Sequence, residues 1–140
     1  MYKITFQSFM DHHLSTPPKN IETRELWMEN AAGFIIMEDI MKYAISRIPD
    51  GTDQETRVKI KAGIEDAIYG LCMMMDGVSG TLQNDEYSLR IQHKILLEYK
   101  DSTLEEIDTL DGDGMCMGLH SWLEGDFGNE PIVETENTDN

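Results

Sequence analysis

The residues best equipped for chemistry gather in one stretch, Asp111–Gly128, DGDGMCMGLHSWLEGDFG. Asp111, Asp113, Glu124 and Asp126, with Asp108 just before them, surround Trp122 and Phe127. Carboxylates around large apolar rings suit a partner whose basic patch also offers an apolar pocket: charge steers the encounter, and the desolvated ring supplies affinity. Asp111, Asp113, Trp122, Glu124, Asp126 and Phe127 are therefore the candidate partner-binding residues. Closely spaced aspartates in a glycine turn are also hard oxygen donors of the kind calcium takes. With Gly114 at the glycine position of an EF-hand loop, Thr109, Asp111 and Asp113 fall at ligand positions, but His120 stands where the bidentate glutamate belongs. The match fails at both ends, a glycine turn followed by a helix cap explains the run, and no metal or cofactor is assigned.

Other constellations are weaker. Glu38-Asp39 and Glu65-Asp66 lack the histidine three residues on that carboxylate di-metal bundles use, so they read as solvated helix faces. Glu22 and Glu25 form an ExxE, half of the signature of all-α nucleotide pyrophosphatases; the ExxD half is absent and that family is rejected. His12, His13, His93 and His120 do not pair with Cys72 or Cys116 at zinc-ligand spacing. Neither cysteine has a basic neighbour to lower its pKa, so no nucleophile is assigned. Gly77–Gly80 lacks the Lys and Ser/Thr of a phosphate loop. Asp111, Asp113, His120 and Asp126 carry a second reading, a metal-assisted enzyme or small-ligand binder.

Helices must position these groups. From Asp53 to Met75, apolar Ile60, Ile64, Ala67, Ile68, Leu71, Cys72 and Met75 follow one helical face. Thr52 or Asp53 caps its start and Asp76-Gly77 stops it. Ile68 and Leu71 are expected to be nearly inaccessible, with Gly63 and Gly70 admitting a neighbouring backbone. A helix over 21–48, with Trp27, Ala31, Phe34, Met41 and Ile45 on its stripe, precedes it and ends at Pro49. The short turn between them predicts an antiparallel hairpin. Residues 5–14 read as a helix, or as a short strand over Tyr2–Phe6, before Pro17-Pro18. From Tyr87 to Tyr99 the period becomes two, predicting a β element over 87–99 whose partner is Tyr2–Phe6, Gly80–Leu82 or a second subunit. Leu104–Leu110 suggests a short helix. Met115, Leu119, Trp122 and Leu123 predict another over 115–124, capped by Asp113.

The expected fold is thus α+β and helix-dominated, with an all-α bundle as the alternative. Residues 1–128 are read as one globular domain and 129–140 as a mobile acidic tail whose removal from Pro131 onward would leave the melting temperature unchanged.

The chain of 140 residues carries 27 acids against 11 bases, a net charge of −16. Such a balance repels phosphate, which argues against nucleic acids and anionic membranes and favours a protein partner with a basic surface. Two cysteines inside Met-rich apolar runs fit reduced thiols and a cytoplasmic location. In size and charge the chain resembles toxin-neutralising immunity proteins and phage inhibitors of host defence, which implies an inhibitor acting by protein–protein contact. A homo-oligomeric module, or homodimer, pairing the 87–99 strand across subunits is the third reading.

Overall fold

A computed structural model describes residues 10–128 and 130–136. In chain order these form β1 (Met10–Leu14), α1 (Ile21–Ile36), a π-helical turn (Met37–Met41), α2 (Lys42–Ser46), α3 (Gln54–Met75), β2 (Thr81–Gln83), β3 (Ser88–Arg90), β4 (Lys94–Glu98), β5 (Leu104–Asp108), a 3-10 turn (Thr109–Asp111), α4 (Met115–Leu123) and β6 (Ile132–Glu136). The strands make three two-stranded antiparallel sheets, β1–β6, β2–β3 and β4–β5. The mixed helix and sheet excludes the all-α bundle. Among the described residues no helix is long and apolar enough to cross a membrane.

Both long helical runs begin on a capping side chain. Asn20 Oδ1 accepts from the Thr23 N–H at 3.0 Å, just after Pro17-Pro18. Asp53 accepts from the Thr56 N–H at 2.9 Å and from its hydroxyl at 2.8 Å. The first run, α1 to α2, meets α3 through Met37–Ser46, and α4 packs on both α1 and α3. The main core therefore draws Ile36, Met37 and Met41 from the first run, Ile68 and Cys72 from α3, and Met115, Leu119 and Trp122 from α4.

Burial departs from expectation in α3. Ile68 and Cys72 are buried, but Leu71 is half-buried, and nothing lies close to Gly63 or Gly70. The reason is length: α4 spans roughly 14 Å and cannot cover the roughly 33 Å of α3. The first run is the better buried, with Trp27, Met28, Glu29, Gly33 and Ile36 all inaccessible on α1. Close approach occurs there instead. A Cβ at Gly33 or at Gly118 would overlap the Trp122 ring, so two glycines form the slot that holds it.

The 87–99 segment is not one strand. It breaks at Ile91–His93 into β3, which pairs with β2, and β4, which pairs with β5. Leu104–Asp108, expected to be helical, is strand β5. Ile95 opposite Ile107 and buried Leu97 make cross-strand packing outweigh the three-residue spacing.

The N-terminal helix expected over 5–14 is, in its described part, strand β1; Tyr2–Phe6 lies outside the described residues. The partner of β1 is β6, inside the stretch read as a tail. Pro131 is fully buried, its carbonyl accepts from the Ser15 N–H at 2.8 Å, and the Ser15 hydroxyl accepts from the Trp27 indole at 3.1 Å. Deleting residues from Pro131 onward is therefore expected to lower the unfolding free energy by about 2 kcal/mol or more, from lost burial and the lost ladder. Urea titration of the truncated chain checks this; an unchanged midpoint would mean that β6 contributes nothing.

Candidate functional site

The helical period sets Glu22, Glu25 and Glu29 on one stripe of α1. Opposite this stripe, β5 delivers Glu106 and Asp108, and the following turn delivers Asp111 and Asp113. Between them lies a cleft of about 420 Å³ lined by these seven carboxylates.

Each wall is fixed by identifiable bonds. The Arg24 guanidinium donates to Glu105 at 2.7 Å, tying α1 to β5, and holds Glu105 below the usual carboxylate range. Buried Thr109 donates its hydroxyl to the Met75 carbonyl at 2.7 Å and its N–H to the His93 carbonyl at 3.1 Å, so the turn is pinned to the end of α3. Asp108 accepts from the Leu110 N–H at 3.0 Å and from the Gln92 amide. At the floor, the Asp113 N–H donates to Glu29 Oε1 at 3.0 Å. Gly112 permits this approach, since a Cβ there would collide with the same oxygen.

The electrostatics are one-sided. Glu106 pairs with Lys94 at 3.1 Å, whereas Glu22, Glu25, Asp111 and Asp113 make no ion pair with another described residue. Burial, and then the neighbouring charge of Asp113, push Glu29 up to about 7, against the pull of its bond from the Asp113 N–H. The cleft thus holds an excess of negative charge and one carboxyl poised near neutrality.

Asp111 and Asp113 line this cleft. Trp122 does not reach the surface: it is buried in the slot described above, and its indole N–H donates to Asn30 Oδ1 at 2.9 Å. Phe127 is half-buried, edge-on to Phe34 with ring centroids 5.2 Å apart. Asp126 accepts from the Gly128 N–H at 2.9 Å and borders an adjoining hollow that shares Glu29 and Asp113. Glu124 is exposed at the end of α4 and lines neither. His120 sits beside Tyr69, centroids 6.5 Å apart, and lines neither the cleft nor the adjoining hollow. Among the described residues no group of three or more His, Cys, Asp and Glu side chains is placed to hold a metal ion.

Three features escaped the sequence reading. Glu22, Glu25 and Glu29 face Asp111 only because β5 is a strand, although their spacing was a visible signal. Glu106 and Asp108 follow from the same strand. The α4 cap is Asp76 rather than Asp113: its carboxylate accepts from the Met115 N–H at 2.6 Å and the Cys116 N–H at 2.9 Å. Both cysteines are free thiols; burial raises Cys72 to about 12, and burial with a bond to Asp76 raises Cys116 to about 11, which leaves neither as a thiolate.

Comparison with known proteins finds no matching family model, no similar curated protein and no similar solved structure.

Proposed function

We propose that this chain is an acidic binding protein that neutralises a protein partner by covering a basic surface on it. The observation that carries this reading is the cleft of seven carboxylates, six of them without an ion pair among the described residues. The net charge of −16 draws a cationic surface in from a distance and accelerates encounter. An arginine or lysine then enters the cleft, where Glu22, Glu25 and Asp111 meet it. A cation favours the ionised form of a neighbouring carboxyl, so Glu29 gives up its proton as the cleft fills. The helical runs Ile21–Ser46 and α3 serve as an antiparallel hairpin that holds α1 in place. The protein acts in the cytoplasm, where Cys72 and Cys116 stay reduced.

The test is association with a cationic peptide of alternating arginine and leucine. Combining Glu22→Gln, Glu25→Gln and Asp111→Asn is expected to slow association on the order of tenfold at low salt and to leave folding unchanged, since all three side chains are exposed. Asp126→Asn, outside the cleft, is expected to do much less. Equal association by the triple variant and the parent chain would place the binding surface elsewhere.

A further inference from the structure

The β2–β3 hairpin is amphipathic, yet among the described residues nothing covers either of its faces. Thr81 stands opposite Arg90, Leu82 opposite Leu89 and Gln83 opposite Ser88. Directly opposed residues share a face and successive ones alternate. Leu82, Tyr87, Leu89 and Ile91 therefore lie on one side, and Thr81, Gln83, Ser88 and Arg90 on the other. The apolar side is open to solvent: Leu82 is 75% exposed, Tyr87 72%, Leu89 63% and Ile91 55%. The arm is nevertheless hydrogen-bonded at its tip and at its root. Asn84 Oδ1 accepts from the Glu86 and Tyr87 N–H groups at 2.9 and 2.8 Å, and at the root the Ile91 N–H donates to the Gly80 carbonyl at 3.3 Å. A two-stranded hairpin is marginal in water unless its apolar face is covered.

We infer that a second copy of this chain covers it, the apolar face of one arm packing on the same face of its partner about a two-fold axis. Charge selects this occupant. In a chain of net charge −16, residues 78–91 carry two acids and one base, Asp85, Glu86 and Arg90, and so form a nearly neutral surface. A basic partner finds little to pair with there, whereas two like arms meet without strong repulsion. An isologous contact also suits a face whose centre is a leucine pair, Leu82 and Leu89. The four residues of the apolar side present on the order of 500 Å² per copy, or about 1,000 Å² in total, the size of a weak, transient interface. The dimer is accordingly weak and concentration-dependent.

Salt separates this contact from the acidic cleft. Added salt screens the repulsion between two acidic copies and strengthens the dimer, while it weakens capture of a cationic peptide. Sedimentation velocity of the full chain over a concentration series, at low and high sodium chloride, is expected to show a monomer–dimer equilibrium that shifts toward dimer with salt. The double variant L82E/L89E is expected to be monomeric throughout, with the near-ultraviolet dichroism of buried Trp27 and Trp122 unchanged. Should that variant lose the tryptophan signal, Leu89→Ser is expected to weaken the dimer about tenfold with the signal intact. A chain that stays monomeric at every concentration and salt, or a dimer undisturbed by both variants, would overturn the inference without touching the cleft.

Discussion

Replacing Trp122 with alanine is expected to lower the unfolding free energy by about 3–5 kcal/mol. The indole fills a slot whose walls are the backbone at Gly33 on α1 and at Gly118 on α4. Backbone walls cannot swing inward as side chains can, so truncation leaves a cavity that does not collapse. It also strips Asn30 Oδ1 of its donor at 2.9 Å. Trp122→Phe keeps most of the ring and loses the N–H, and it should cost clearly less than the alanine variant. Urea titration followed through the remaining Trp27 and far-ultraviolet dichroism measures both. A loss below about 1 kcal/mol for the alanine variant would mean that α4 is not the element that joins α1 to α3.

Glu29→Gln is expected to stabilise the protein above neutral pH and to leave it nearly unchanged in mild acid. In the folded chain the Glu29 carboxyl keeps its proton up to about 7, against an ordinary 4.5. Between those values the unfolded chain is ionised while the native chain is not, so raising the pH removes a proton from the native state alone. The stability present below 4.5 is thus lost as the pH climbs through about 7, a loss of about 3 kcal/mol for a shift of that size. Glutamine keeps an oxygen to accept from the Asp113 N–H and has no proton to lose. Chemical denaturation of the parent chain and Glu29→Gln at about pH 5 and about pH 9 reads the difference directly. Parallel pH profiles for the two proteins would show that Glu29 is ionised throughout.

The helices were legible because their signals are local. Asp53 and Asp76 stand directly before and after the first and last residues of α3, and Met115, Leu119 and Trp122 mark α4. What was not legible depends on partners far along the chain. β6 looks like an acidic tail until Met10–Leu14 is known to lie beside it, and β5 looks helical until Ile107 is set opposite Ile95. The same distance hid the cap of α4, which Asp76 supplies from the end of α3. The candidate site was half legible for that reason. Asp111 and Asp113 could be named, but their companions on α1 become neighbours only across β5. Trp122 carried an ambiguity that composition cannot resolve, since an aromatic among acids reads equally as an anchor or as core until Gly33 is seen against it.

The most direct test of the acidic cleft as the binding surface is to follow backbone amide resonances during titration with the arginine–leucine peptide. Binding at the cleft predicts that the largest changes fall on Glu22, Glu25, Glu29 and residues 106–113. The Asp113 amide should move most, because its bond to Glu29 reports the ionisation of that carboxyl. The exposed acids on other elements, such as Asp66 of α3 and Asp39 of the π-helical turn, should move little. Changes spread evenly over every acidic surface, or concentrated on Asp39 and Asp66, would contradict the assignment of the cleft.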